Sequence, residues 1–125
     1  MGFFNLFDSK RSYDKYDLIE FYKQEITGHT SALHEKKVTT LHEMIIQKLQ
    51  TIDASTKTFK LHSCNNVFTD CGDGIYKIEY ACILDPRDAY GESLRFCTLD
   101  VMLHTNKYGE FIGGKESFVK VTKRK

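Results

Sequence analysis

A chain of 125 residues, 41% hydrophobic and 28% charged, has the make-up of an ordinary globular protein. At that length one domain is expected, burying roughly two thirds of its unfolded surface. A formal net charge of +1 is too weak a field for whole-molecule nucleic-acid binding. No apolar run approaches the ~20 residues of a membrane-spanning helix, so neither nucleic acid nor membrane is an expected partner.

The first residues, Met1-Gly2-Phe3-Phe4-Asn5-Leu6-Phe7-Asp8, are apolar but lack the basic start and the length of a secretory signal. Gly2 stands where a myristoyl group would attach, yet Leu6 occupies the place where that motif takes Ser or Thr. Four cysteines without an export signal read as reduced thiols, and the chain as cytoplasmic. Residues 1–12 form an apolar arm. Phe3, Phe4, Leu6 and Phe7 are expected to dock on the body of the protein rather than in a partner's groove or on a lipid surface. Residues 13–125 make up a single α+β domain.

From Tyr13 to Ile26, the residues Leu18, Ile19, Tyr22 and Ile26 recur at helical spacing. Asp14 and Asp17 suit the start of that helix and Gly28 its end. Thr30 or Ser31 can cap a second helix from Ala32 to Ile52. Its stripe takes Leu33 or the stem of Lys37, then Val38, Leu41, Ile45, Leu49 and Ile52, and is wide enough to lie across a sheet.

Strand patterns follow. Phe59, Leu61 and Ser63 alternate with Lys60, His62 and Cys64 in a run reaching Phe68 and closing at Asp70-Cys71-Gly72-Asp73-Gly74. Tyr76, Ile78, Tyr80, Cys82 and Leu84 form a second alternating set, and Cys97, Leu99, Val101 and Leu103 a third. Between them lies the loop Asp85–Ser93, which holds the chain's only proline. Symmetrical folding about this loop sets Cys82 opposite Cys97, Tyr80 opposite Leu99, Ile78 opposite Val101 and Tyr76 opposite Leu103. Pairing Thr69 with Gly74 sets Leu61 opposite Cys82, Ser63 opposite Tyr80 and Val67 opposite Tyr76, so that the apolar sets share one face. Asn106-Lys107-Tyr108-Gly109 fits a type I turn closing on a glycine bulge. A last strand is expected from Glu110 and Phe111, bending at Gly113-Gly114 and continuing through Phe118, Val119 and Val121.

The expected architecture is two N-terminal helices followed by a four-stranded antiparallel meander sheet, with a helix packed on its apolar face. This is a two-layer α+β sandwich. In the order of these elements, residues 30–122 resemble the cystatin-like and nuclear-transport-factor-like α+β rolls. The resemblance is one of topology and transfers no functional residue.

These registers predict an outer-face row of Cys64, Glu79 and Asp100. It is flanked by His62, Ala81 and Thr98 on one side and by Asn66, Lys77 and Met102 on the other. Facing carboxylates repel, so Lys77, a bound cation or a partner's basic group should compensate. A plain solvated surface is the bland account of such charges. His62 and Cys64 make at most half a metal site, with no C-x-x-C or H-x-x-x-H pair to strengthen it, and neither a metal nor a cofactor is expected. Cys82 and Cys97 read as reduced core residues and Cys71 as an exposed turn thiol, which leaves no nucleophile beside a histidine. The basic tail, Lys120 to Lys125, lacks the aromatic platform that single-stranded nucleic acid uses. The outer face also carries Ile75, Phe68, Ile83, Ala81 and Met102, and such a mixture of apolar and charged groups is the composition of a protein interface.

The chain therefore reads as a small non-catalytic binding protein of the immunity or inhibitor kind. It would present Glu79, Asp100, Lys77, His62 and Met102 of the sheet, or Asp88 and Tyr90 of the 85–93 loop, to a protein partner or a second copy of itself. The alternative is a small-ligand or enzymatic pocket between the second helix and the concave sheet, lined by Ser63, Asn65, Tyr76 and Tyr80.

Overall fold

A computed structural model of the chain describes residues 12–29 and 40–124. The first helix, α1, runs Lys15–Thr27. The Asp14 carboxylate accepts from the Asp17 N–H at 2.9 Å, and the Asp17 carboxylate accepts from the Asp14 N–H at 3.4 Å. This capping box satisfies two of the helix's orphan donors. Gly28 ends the helix at φ 79°, a left-handed conformation. A Cβ there would also stand 3.0 Å from the His42 ring. The second helix, α2, runs Thr40–Ile52 and buries Leu41, Ile45 and Leu49. His42 joins the helices, its Nδ1 lying 3.2 Å from the Ile26 carbonyl oxygen. The expected first part of this helix, with Leu33, Lys37 and Val38, lies outside the described residues. So does the arm of residues 1–11.

Four strands follow, β1 (Thr58–Gly72), β2 (Ile75–Arg87), β3 (Cys97–Asn106) and β4 (Phe118–Lys123), paired antiparallel in chain order. Leu18, Tyr22 and Ile26 of α1 and Leu41, Ile45 and Leu49 of α2 share one core with the inward residues of the sheet. Those are Phe59 of β1, Ile78, Tyr80, Cys82 and Leu84 of β2 and Cys97, Leu99, Val101 and Leu103 of β3. The predicted α+β class holds, with both helices on one face. Two buried phenols lock the layers, Tyr22 donating to the Gly109 carbonyl and Tyr80 to the Ile19 carbonyl.

The registers differ from the expected ones in two ways. Between β2 and β3 the slip is two residues: Cys82 faces Leu99, Leu84 faces Cys97, Tyr80 faces Val101, Ile78 faces Leu103 and Tyr76 faces Thr105. The cause is in the loop. Asp85, Pro86 and Arg87 belong to β2, and the chain turns back through Asp88 to Gly91, where Gly91 takes φ 80° and its N–H donates to Asp88. A two-residue slip keeps every side chain on its face, so apolar alternation cannot detect it.

Between β1 and β2 the correction is larger. The reversal uses Asp73 and Gly74 alone, both at positive φ as a type I′ turn requires. The ladder then breaks at Cys71 and again at His62. Each break is a bulge, one extra residue that exchanges the faces of the strand beyond it. As a result Cys64, Asn66 and Phe68 stand on the helix side, and Ser63, Asn65 and Val67 on the other. Phe68 lies 5.4 Å from the Tyr76 ring, centroid to centroid, so the larger of two adjacent apolar residues goes inward. Cys64 meets Cys82, their Cα atoms 4.0 Å apart, and the two are joined as a disulfide. This corrects the reading of four reduced thiols; Cys71, exposed, and Cys97, buried, are the free cysteines.

The Asn106–Gly109 turn forms as expected. The Gly109 N–H donates to the Asn106 carbonyl and the Asn106 N–H to that of Glu110, with Gly109 at φ 80°. Beyond it Phe111 makes a single bridge to Thr105, and β4 begins only at Phe118.

Candidate functional site

The outer face can be read row by row across β1, β2, β3 and β4. One row is Asn65, Ala81, Asp100, Lys120; the next is Val67, Glu79, Met102, Phe118; on the far side of the first come Ser63, Ile83, Thr98, Thr122. Thr69, Lys77 and His104 continue the face toward the Asp73 turn. Among the described residues, no helix packs on it. Val67 is 56% exposed and Phe118 39%. Ile83 and Met102 are half-buried among their neighbours. An apolar band thus crosses the sheet between charged groups.

Glu79 and Asp100 share this face, as expected, but are not directly opposed. Glu79 faces Met102 and Asp100 faces Ala81, which makes the carboxylates diagonal neighbours. Each has its own lysine. Lys77 Nζ lies 3.7 Å from Glu79, and Lys120 stands across from Asp100. Cys64 is absent from the row, and Phe68 from the face, because the Cys71 bulge turns both inward, and the His62 bulge then brings Leu61 and Phe59 to the same side. His62 itself is exposed, with its ring 5.0 Å from that of Phe96. Among the described residues no three His, Cys, Asp or Glu side chains gather as a metal site, and no helix is long and apolar enough to cross a membrane.

The loop is built on Asp85 and Asp88. The Asp88 carboxylate accepts from the N–H groups of Tyr90 (2.9 Å) and Glu92 (3.0 Å), which leaves Tyr90 90% exposed at the tip. Asp85, buried, accepts from Arg87 and from the Ser93 hydroxyl. Burial pushes its carboxyl up, but these hydrogen bonds and the Arg87 charge hold it below the usual carboxylate range. The loop is hydrogen-bonded at its base and offers one aromatic side chain.

The predicted pocket does not assemble. Tyr76 and Tyr80 lie on the helix side, whereas Ser63 and Asn65 are exposed on the outer face. The Tyr80 hydroxyl is taken up by α1. A cavity of about 190 Å³ sits elsewhere, between the end of α2 and the base of the loop, among Leu49, Ile52, Thr56, Pro86, Leu94 and Cys97. Ligand pockets commonly run from about 300 to 1,000 Å³. Burial raises the Cys97 thiol there, against the opposing pull of Arg95 and Lys123, so it is a poor nucleophile.

No family model, no curated protein and no solved structure matches this chain. Its residues alone carry the functional argument.

Val67, Phe118 and Lys120 complete the outer surface without standing out in the sequence as site residues. For β4 the signal was present, since Phe118 and Lys120 alternate with Val119 and Val121, which pack on the core. For Val67 it was hidden by the bulge.

Proposed function

We propose that the chain is a small non-catalytic binding protein that takes a protein partner on the outer face of its sheet. One observation carries this reading: the face on which no helix packs among the described residues is crossed by Val67, Met102 and Phe118, with Lys77, Glu79, Asp100 and Lys120 around them. Exposed apolar side chains rimmed by charges mark interaction surfaces. The apolar centre would give affinity, and the charges would set orientation and association rate. Tyr90, held out by the Asp88 turn, is a second contact point at the far end of the molecule.

The test uses the full chain as bait in extracts of its source cell, beside Met102→Lys and Phe118→Asp. Wild type should retain a stoichiometric protein that both variants lose while keeping the wild-type melting temperature. Retention of the same protein by both variants would move the site off this face.

A further inference from the structure

β1 is an edge strand and, at 15 residues, the longest in the sheet. Which of its backbone groups point outward follows from the ladder. In antiparallel pairing, the closely spaced pairs turn their N–H and C=O groups away from each other. Cys64 and Cys82, with Cα atoms 4.0 Å apart, are such a pair. Alternation from there, allowing for the His62 bulge, makes Phe59, Leu61, Cys64, Asn66, Phe68 and Asp70 the residues that face away from β2. Pro86, opposite Phe59, agrees. It has no N–H to offer β1, and its carbonyl accepts from Leu94 on the other side.

Among the described residues, no hydrogen bond reaches these outward backbone groups. Natural edges are usually shielded by short length, proline or lysine. Residues 61–69, Leu-His-Ser-Cys-Asn-Asn-Val-Phe-Thr, contain no proline and no Lys, Arg, Asp or Glu. Such an edge is a template for another strand.

We propose that β1 pairs antiparallel with β1 of a second copy, joining two four-stranded sheets into one of eight. The charge pattern selects this occupant. Lys57 and Lys60 lie at one end of the strand, Asp70 and Asp73 at the other. Antiparallel self-pairing sets the basic end of each copy beside the acidic end of the other, whereas parallel pairing would bring like charges together. A two-fold axis through Asn65 uses the whole edge: Cys64 pairs with Asn66, Leu61 with Phe68 and Phe59 with Asp70, each twice, as an isologous interface requires. The edge and the outer face are separate surfaces, so the dimer leaves the proposed binding face open.

The oligomeric state of the full chain decides the matter. Wild type should have twice the 14.5 kDa monomer mass across the micromolar range, and salt should weaken the dimer. Asn66→Pro removes an N–H that β2 does not use. It should leave the fold intact and weaken the dimer by at least about tenfold, since both copies lose a hydrogen bond. Should that variant fail to fold, cross-linking still tests the register. In a Cys71→Ser background, Asn65→Cys at the two-fold axis should oxidise to a covalent dimer, because closely opposed strand residues are within disulfide reach. Thr69→Cys, on the same face but far from the axis, should not. A wild type that stays monomeric, a dimer untouched by Asn66→Pro, or equal cross-linking at both positions would overturn the proposal. Loss of partner capture by Met102→Lys with the dimer retained would show that the face reading stands apart from it.

Discussion

Cys64 and Cys82 are separated by 18 residues and joined across β1 and β2. Closing a loop of that length removes unfolded-state freedom equivalent to about 3 kcal/mol. Denatured protein that has met no reductant should therefore take up alkylating reagent at Cys71 and Cys97 only, and at all four cysteines after reduction. Reduction should lower the melting temperature by several degrees. Four labels without reductant would refute the bond. Asp85 makes a second residue-scale prediction. Its folded carboxyl is held below its unfolded value of 3.8. The stability it contributes is present above about pH 4 and is lost as pH falls through the folded value. Asp85→Asn should lower the melting temperature at neutral pH and flatten its decline in acid. Tyr22 and Tyr80 act at the other extreme. Burial, above all, raises both phenols from 10.0. Their contribution is complete below pH 10 and is lost as pH rises beyond it, so Tyr22→Phe or Tyr80→Phe should soften the alkaline transition.

The helices and strands were legible to different depths. The capping box at Asp14, the left-handed stop at Gly28 and the Asn106–Gly109 turn are local chemistry, written in a few adjacent residues, and each forms where its signal stands. The inward set of β2 and β3 was legible because period-2 alternation is strong there. Register was not, since moving β3 by two residues buries the same side chains. The His62 bulge was hidden for another reason. Alternation in β1 favours Leu61, Ser63, Asn65 and Val67 as weakly as Cys64, Asn66 and Phe68, and only packing against Tyr76 and Cys82 decides. The bulge can be tested by deletion. Removing His62 leaves Leu61 opposite Leu84 and Ser63 opposite Ile83 in an unbroken ladder, so the variant should fold and melt within a few degrees of wild type. Removing Asn65 instead shifts one half of the strand by a residue and turns either Cys64 or Phe68 to the outside. That variant should lose the disulfide or, with Phe68 turned out, melt well below the His62 deletion. Equal behaviour of the two deletions would show that His62 is not the extra residue.

For the molecule as a whole, the arrangement of charge on the outer face separates structural from functional demands. If Glu79 and Asp100 stood directly opposed, removing either charge would relieve repulsion. The ladder sets them diagonally and supplies Lys77 to one and Lys120 to the other. Glu79→Gln should therefore bring no gain, and its effect on stability should stay within about 0.5 kcal/mol, as for other exposed pairs. The pair across β3 and β4 is more informative. Asp100→Lys sets two lysines face to face, and Lys120→Asp sets two aspartates face to face, each costing about 0.2–1 kcal/mol. The double variant Asp100→Lys with Lys120→Asp reverses both and should recover most of the loss in a denaturant melt. Additive losses would mean that the two residues do not meet and that the β3–β4 register is wrong. The same double variant bears on function. It keeps the fold and every apolar side chain of the face but inverts the local field. A partner steered by that field should bind the double variant more slowly, and the difference should shrink as salt is added. An unchanged association rate would leave the apolar band of Val67, Met102 and Phe118 to carry recognition without the charges around it.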